Sequence, residues 1–293
     1  MKILAAVICA ALIFCACGTQ IEPPNIVSGP VVTDPPPEKP AYPISVDNLT
    51  FETAPASVVS LSPAITEILF DLGAGERLVA VSDYCDWPSE ASGKPKVGSP
   101  ANPDFDAIAA LKPELLIIQS PIASSDSVPL RQEGIQILEI SAPKSYAELC
   151  DVYIKLAMIF CGAVDYSDTA WNALEVLDSQ MSAAQELGIS KSFVVVEAGA
   201  DDGLLLSHGE TLCSDMLSVF GNNLWRDSER FTATDDELFV LAPDVVFYAD
   251  GLNKKDIEKV FPHSQLIKID LERFERPTAR LSQLIAECAD SLS

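Results

Sequence analysis

The sequence has little of what most catalytic and metal sites are built from. Its only histidines are His208 and His263 among 293 residues, too few for the several histidine ligands that a zinc or manganese receptor uses. It has no GxSxG, GxGxxG, GxxxxGKS/T or CxxC motif, so serine hydrolase, dinucleotide, nucleotide and thiol redox sites all lack their parts. An α/β enzyme that works through carboxylates stays open as an alternative, but we do not expect the chain to be an enzyme.

Basic residues are also scarce. Lysine and arginine number 19 against 43 aspartates and glutamates, which gives a formal net charge of −24. Such a surface repels phosphates and argues against a nucleic-acid partner. The sequence shows no obvious cationic cluster for a negatively charged ligand, since Lys94, Lys96 and Arg230 are scattered candidates.

The cysteines do not form a pattern that could staple the fold. Three of the eight, Cys9, Cys15 and Cys17, belong to the N-terminal segment, and the odd number that remains cannot close a complete disulfide framework. Cys150 and Cys161 would lie about 16 Å apart along a helix, too far to bond to each other. The remaining cysteines are expected to be buried small apolar side chains: Cys85, Cys150, Cys161, Cys213 and Cys288.

The N-terminal residues have the layout of an export signal, which we assign to residues 1–16. Lys2 supplies a positive charge, Ile3 to Phe14 form an apolar stretch too short to span a membrane, and a small residue precedes Cys17. The segment resembles a bacterial lipobox, which implies cleavage before Cys17, diacylation of its thiol and anchoring to the cell membrane outside the cytoplasm. A plain signal peptide with a chance cysteine is the alternative.

The next segment, residues 17–44, is rich in proline and has no apolar period. It contains Pro23-Pro24 and Pro35-Pro36-Pro37 among small polar residues, which predicts an extended, disordered tether behind the acylated cysteine. The folded part is expected to start at Ser45. About 250 residues are then left, enough for one large or two smaller domains with a proper core.

Short, nearly continuous apolar runs alternate with helical patterns through the folded part. Runs of this kind are typical of parallel strands covered on both faces, so the alternation predicts an α/β fold. The predicted helix Pro63 to Leu72 follows Ser62 as N-cap and has proline at its first position. The predicted strands are 57–61, 78–82, 115–119, 136–140, 193–197, 245–249 and 266–269.

The middle of the chain breaks this rhythm with two helices and no strand. A Ser-x-x-Glu capping box starts the first at Ser145, which is expected to run to Phe160, and the second is expected from Ser167 to Leu187. We therefore assign residues 145–190 to a helical connector. It joins an N-terminal lobe, residues 45–144, to a C-terminal lobe, residues 191–293.

The two strand-rich regions contain matching units. Residues 106–118 and 236–248 share an acid, a leucine and a proline at the same offsets, followed by another acid and a strand. A fainter match pairs Leu61-Ser62 and Thr66 with Leu206-Ser207 and Thr211. Two matched units in one order favour a duplicated lobe over a chance similarity of generic helix–proline–strand units.

A long run in the N-terminal lobe resembles a known family. Residues 57–83, the segment Tyr84-Cys85-Asp86-Trp87-Pro88, residues 94–98 and residues 106–114 are similar to cobalamin-binding proteins. These belong to the class of ABC-transporter substrate-binding proteins that also carries ferric siderophores and haem. The resemblance implies two Rossmann-like α/β lobes joined by a long rigid helix, with a macrocyclic ligand held in the cleft between them. The chain would act as a monomer, without a cofactor or metal of its own.

The resemblance also implies a partner and ranks the ligands. A protein of this class delivers its small-molecule ligand to an ABC-transporter permease dimer with its ATPase. Cobalamin or a related corrinoid comes first, followed by a ferric siderophore and then haem. An enzyme on the same scaffold ranks below all three.

The same resemblance proposes the ligand-binding residues. In cobalamin binders an aromatic residue stands at the position of Tyr84 and packs on the corrin ring, since aromatic faces suit a large macrocycle. Trp87 is in the same loop, where a packed corner is the alternative to lining the cleft. The further residues implied are Pro100 and Gln119, where familiar cobalamin binders have tryptophan, and Ser207, His208 and Phe231 from the second lobe.

Two acids are implied to dock the protein on the permease. One carboxylate at the tip of each lobe pairs with permease arginines in this class, and the repeat places Asp106 and Asp236 there. Helix capping is the alternative role of acids at these helix starts. Asp104 or Glu237 is an alternative carrier of the contact, because the class usually has the longer glutamate.

Overall fold

The computed structural model of the protein describes residues 41–199, 204–228 and 232–293. Two parallel sheets and a long helix between them form the folded body, as the sequence predicts. Among the described residues, no helix combines the length and the apolar character needed to cross a membrane.

The N-terminal lobe is built on a parallel sheet with the strand order β4-β3-β7-β8. Its helix α1 begins where the sequence predicts, because Ser62 accepts a hydrogen bond from the N–H of Ile65 and Pro63 occupies the first helical position. Its elements are β1 (Ile44–Val46), β2 (Leu49–Phe51), β3 (Val58–Ser60), α1 (Pro63–Asp71), β4 (Leu78–Val81), α2 (Ser89–Ser92), β5 (Gly98–Ser99), β6 (Asn102–Pro103), α3 (Phe105–Leu111), β7 (Leu115–Ile118), α4 (Ser124–Gln132) and β8 (Gln136–Glu139).

The C-terminal lobe is built on a second sheet with the order β10-β9-β12-β13, where β11 also pairs with β9. The strands β9, β12 and β13 are parallel, whereas β10 runs antiparallel to β9. The connector and this lobe comprise α5 (Tyr146–Glu186), β9 (Lys191–Ala198), β10 (Leu204–Leu206), α6 (Leu212–Leu217), β11 (Gly221–Asn223), α7 (Asp235–Leu241), β12 (Val245–Ala249), α8 (Lys254–Val260), β13 (Gln265–Ile269), α9 (Glu272–Glu275) and α10 (Leu281–Leu292).

All seven predicted strands are present to within a few residues. The short strands β5, β6, β10 and β11 were not predicted from the sequence. The hairpin β1–β2, whose apolar side chains are buried against the rest of the fold, was not predicted either.

The expected tether ends too late in the sequence. The hydroxyl of Tyr42 donates a hydrogen bond of 2.7 Å to the carbonyl of Ile159, and the carbonyl of Ala41 accepts one of 2.8 Å from the N–H of Ala163. The ordered body therefore begins no later than Ala41, because these residues bond to the connector.

The connector is one helical span with a single-residue break in place of the expected gap between two helices. Gly162 has φ 77° and ψ −174° inside α5. A Cβ at this position would lie 2.5 Å from the carbonyl oxygen of Ala41, so the break receives the start of the ordered chain and requires glycine. The predicted start is correct, since the Oγ of Ser145 accepts from the N–H of Glu148.

The repeat seen in the sequence is a repeat of structure. The helix α3, a left-handed Lys112 (φ 48°) and β7 match the helix α7, a left-handed Ala242 (φ 37°) and β12. The acid that follows each proline bonds to the start of its lobe's first parallel strand. Glu114 accepts from the N–H of Ala56 at 2.8 Å, and Asp244 accepts from the N–H of Ser192 at 2.8 Å.

The fainter match is not a structural repeat. Ser62 caps α1 directly after the parallel strand β3, whereas Ser207 follows the antiparallel strand β10. The N-cap of α6 is Thr211, and its sequence counterpart Thr66 lies inside α1. The matching residues therefore occupy different structural positions in the two lobes.

The core runs through both lobes. One apolar cluster contains buried side chains of α1, of the connector α5 and of the second sheet, including Leu69, Leu156 and Val195. The outer face of each sheet has its own smaller cluster. Four of the five expected cysteines are buried, while the prediction is wrong for Cys161, which is partly exposed.

Candidate ligand-binding site

Two of the residues predicted to bind the ligand lie at the carboxyl ends of parallel strands in the N-terminal lobe. Tyr84 follows β4 and Gln119 follows β7, and Ser62, which was predicted only as a helix cap, follows β3. Because parallel strands end at one edge of the sheet, these residues face the same region of the molecule. In open α/β sheets this edge is where ligands bind.

The loop after β4 presents two exposed aromatic rings. Tyr84 is 58% exposed and Trp87 is 50% exposed, so one short loop presents two large aromatic side chains to solvent. The packed corner that was the alternative for Trp87 would leave less of the indole in solvent. Both rings are available to line a cleft.

A cluster of polar contacts around Cys85 fixes this loop to the rest of the lobe. The thiol of Cys85 lies 3.2 Å from Oγ1 of Thr66 and 3.1 Å from Oγ of Ser82. The ammonium of Lys96 donates a hydrogen bond of 2.6 Å to the carbonyl of Cys85. The backbone between the two aromatic residues is therefore fixed on both sides.

The structure brings Pro100 and Gln119 together. Both line a small cavity of about 80 Å³ beside Ser62, whose hydroxyl donates a 2.8 Å hydrogen bond to Oε1 of Gln119. The two predicted positions thus neighbour each other across a small space.

A segment of the C-terminal lobe that the sequence analysis missed reaches the aromatic loop. A guanidinium nitrogen of Arg276 lies 2.5 Å from Oδ1 of Asp86, and the guanidinium carbon of Arg280 lies 4.6 Å from the ring centre of Trp87. The contact with Trp87 is a cation–π interaction. The one feature of the sequence that could have drawn attention to this segment is its three closely spaced arginines, Arg273, Arg276 and Arg280.

These arginines line a cavity of about 280 Å³. Asp86 is its one lining residue from the N-terminal lobe, and the segment after β13 supplies the others. Its lining residues are Asp86, Asp270, Glu272, Arg273, Glu275, Arg276, Arg280 and Leu281.

A buried carboxylate positions the second arginine. Glu67 of α1 is only 2% exposed, and its Oε2 accepts from Arg280 at 3.1 Å and from the hydroxyl of Thr278 at 3.3 Å. Burial raises the pKa of Glu67, and the bonds from Arg280 partly oppose that rise. The lobes are thus joined by polar contacts beside the cleft as well as by α5.

Ser207 does not face the cleft. It is 4% exposed, its hydroxyl donates a 3.0 Å hydrogen bond to Oε1 of Glu197, and its carbonyl accepts from the side chain of Asn223. These partners all belong to the C-terminal lobe. The assignment of Ser207 as a ligand contact is therefore wrong in this structure.

His208 lies in another cavity, and Phe231 lies outside the described residues. The Nδ1 of His208 accepts a 3.1 Å hydrogen bond from the N–H of Glu210. Together with Arg226, these residues line an open space of about 670 Å³ formed by the C-terminal lobe. The structure does not bring His208 into the cavity beside Trp87.

The two acids expected to dock on the permease differ in what the structure says of them. Asp106 is exposed in the first turn of α3 and is free of the capping role, because Asp104 caps this helix by accepting from Ala107 at 2.9 Å. Asp236 lies in α7 at the matching position, and its side chain is outside the described part of the structure. Glu237 closes a capping box with Thr234, so neither Asp104 nor Glu237 is left over for docking.

The described part of the chain holds no cluster of three or more histidine, cysteine, aspartate or glutamate side chains that could bind a metal ion. The site instead offers aromatic faces, amide and hydroxyl groups and paired charges. Groups of these kinds can bind a small molecule through stacking and hydrogen bonds.

Comparison with known proteins agrees with this architecture. Residues 58–268 match the family described as periplasmic binding protein. An ABC transporter substrate-binding lipoprotein of Bacillus subtilis (strain 168), YvrC, is 26% identical over 312 residues, covering 99% of this chain and 96% of the relative.

Two solved structures from Vibrio cholerae share the fold. The periplasmic vitamin B12 binding protein matches with a TM-score of 0.66 and 21% identity, covering 82% of this chain and 97% of that structure. The periplasmic haem binding protein matches with a TM-score of 0.66 and 20% identity, covering 80% and 98%. The chain therefore belongs to the periplasmic binding protein family.

Proposed function

We propose that this protein is an extracytoplasmic lipoprotein, acylated at Cys17, that captures cobalamin or a related corrinoid and delivers it to an ABC importer. The observation that carries the ligand class is the pair of exposed rings, Tyr84 and Trp87, at the carboxyl end of the N-terminal sheet. Flat aromatic faces bind a large macrocycle with little loss of conformational entropy.

The position of the rings supports a ligand held between the lobes. Trp87 is contacted by Arg280 from the C-terminal lobe, and its neighbour Asp86 is contacted by Arg276. A macrocycle lying on the rings would therefore touch both lobes. The cavity of about 280 Å³ is at the lower limit for small-molecule pockets, which span about 300–1,000 Å³, so these contacts would have to part to admit it.

The core that both lobes share supports a small degree of closure. Because α1, α5 and the C-terminal sheet contribute to one apolar cluster, large rotation of the lobes would expose buried apolar surface. We expect the loop contacts to rearrange while the connector stays in place. A large ligand-induced drop in the radius of gyration in solution scattering would contradict this.

Haem, which the resemblance ranked below a ferric siderophore, becomes the second candidate because the phenol of Tyr84 is exposed in the loop after β4. A tyrosine oxygen can ligate haem iron directly. A ferric siderophore of the same class is the remaining alternative. Corrinoid ranks first because the sequence around Tyr84 resembles cobalamin binders.

The ligand class is tested by thermal unfolding of the purified protein with cyanocobalamin, cobinamide, haemin and several ferric siderophores. A ligand that binds only the folded state raises the unfolding midpoint by mass action. We expect a corrinoid to raise it for the wild type and Tyr84→Ala to weaken the shift. If no compound of the panel shifts the midpoint of the wild type, the proposed function is wrong.

A further inference from the structure

Asp86 lies at the mouth of the cavity beside Trp87 and is bonded to the opposite lobe. We infer that Asp86, together with Glu275, makes the cleft select against anionic ligands and favour a macrocycle without net negative charge. This inference rests on the proposed function and narrows its ligand class.

The charges around the cavity do not leave a cationic site. Three arginines line it together with four carboxylates, those of Asp86, Asp270, Glu272 and Glu275. The formal net charge of the whole chain is −24, so the long-range field opposes the approach of an anion as well.

Each of the three guanidinium groups already has a carboxylate partner. Arg276 pairs with Asp86 at 2.5 Å and Arg280 pairs with Glu67 at 3.1 Å. Arg273 pairs with Asp270 at 3.2 Å. A carboxylate on the ligand would meet guanidinium groups whose positive charge these protein carboxylates already offset.

Asp86 remains charged when the site is empty. The hydrogen bond from Arg276 lowers the pKa of Asp86 below its ordinary value. The Asp86 side chain is 67% exposed, so water would solvate it after displacement, and the exchange itself is not costly. Its effect on an anionic ligand is mainly repulsion, which salt weakens.

This charge pattern distinguishes the candidate ligands by their chemistry. The corrin ring carries peripheral amides, which can donate to Asp86 and accept from Arg276 without adding charge. Haem carries two carboxylates, and many ferric siderophore complexes are anions. The cavity therefore favours the amide-bearing macrocycle.

The test compares the dissociation constants of haemin and dicyanocobinamide for the wild type, Asp86→Asn, Glu275→Gln and the double variant at low ionic strength. We expect the wild type to prefer dicyanocobinamide. The ratio of the two constants should shift toward haemin by roughly tenfold in the double variant, because two repelling charges of modest strength are removed. The shift should shrink in high salt.

Two variants serve as controls. Asp86→Glu keeps the charge and should keep the ratio within about twofold, and Glu258→Gln removes an exposed charge of α8 that does not line the cavity. An unchanged ratio in the double variant, or wild-type binding of haemin as tight as that of dicyanocobinamide, overturns charge selection alone. If the wild type binds neither compound, the proposed function falls and this inference with it.

Discussion

The hydroxyl of Tyr153 in α5 donates a 2.6 Å hydrogen bond to Oδ2 of Asp71 in α1. The same hydroxyl accepts a 2.8 Å hydrogen bond from the N–H of Ala279 in the C-terminal lobe. One phenol therefore joins the N-terminal lobe, the connector and the segment that carries Arg276 and Arg280. Tyr153 is fully buried, whereas Asp71 is exposed at the end of α1.

Replacing Tyr153 by phenylalanine is expected to destabilise the fold by about 1–3 kcal/mol, because the carboxylate of Asp71 and the half-buried N–H of Ala279 lose their common partner and the cavity around a fully buried ring position loses its polar contacts. Urea unfolding measures the loss. Tyr146→Phe is the matched control, since its hydroxyl bonds to Asp178 within the same helix and does not join the lobes. Equal losses in the two variants would contradict the role given to Tyr153.

The pH dependence of stability should carry a contribution from Asp71. Burial raises the pKa of Asp71, opposed in part by the hydrogen bond from Tyr153. A carboxyl group whose folded pKa lies above its unfolded value contributes stability at low pH, and that contribution is lost as the pH rises through the folded pKa. In the Asp71→Asn variant the side chain at this position does not ionise, so this contribution to the pH dependence is absent.

The variant should therefore gain stability relative to the wild type as the pH rises from the ordinary carboxyl range toward neutrality. The measurement is the difference in the free energy of unfolding between the two proteins at several pH values. A difference that stays flat, or that moves in the opposite direction, would show that the pKa of Asp71 is not raised.

Gly162 should tolerate alanine poorly. Its φ of 77° is unfavourable for any residue with a Cβ, and that Cβ would lie 2.5 Å from the carbonyl oxygen of Ala41. Gly188 has φ 62°, but a Cβ added there would meet no atom within 4 Å, so Gly188→Ala isolates the backbone cost of about 1–2 kcal/mol. Gly162→Ala should lower the unfolding free energy by more than Gly188→Ala does, and an equal loss would remove the steric argument.

Docking on the permease is expected to require Asp106 and Asp236. The double variant Asp106→Ala, Asp236→Ala should keep ligand affinity and reduce uptake of the ligand by cells, since paired charges set register at an interface. Asp104→Ala is the control two residues away. It removes the N-cap of α3, which costs about 1 kcal/mol of stability, but should leave uptake unchanged. Normal uptake by the double variant would refute the docking assignment.

Local pattern was sufficient to predict the strands, the start of α1 and the repeated unit, because each depends on residues close together in the chain. The arginine side of the cleft could not be predicted in this way. Asp86 and Arg276 are 190 residues apart, and Glu67 and Arg280 are 213 apart. Their pairing is a product of the tertiary fold.

Ser207 shows the opposite error. A serine between a strand and a helix suggested a loop facing the cleft, but its partners Glu197 and Asn223 lie on the neighbouring strands β9 and β11. Because β10 runs antiparallel to β9, Ser207 lies beside Val195 within β9 and not at the carboxyl edge of the sheet. Sequence similarity to the parallel unit of the first lobe could not indicate that direction.

The central claim is that a macrocycle binds on the aromatic loop between the lobes. Calorimetric titration of cyanocobalamin into the wild type, Trp87→Ala and Trp171→Ala tests it most directly, because Trp87 is 50% exposed beside the cavity and Trp171 is 44% exposed on α5. The account predicts that Trp87→Ala weakens binding by roughly tenfold or more, as expected for loss of an aromatic contact, while Trp171→Ala leaves it unchanged. Equal affinities of all three proteins, or a loss confined to Trp171→Ala, would contradict the account.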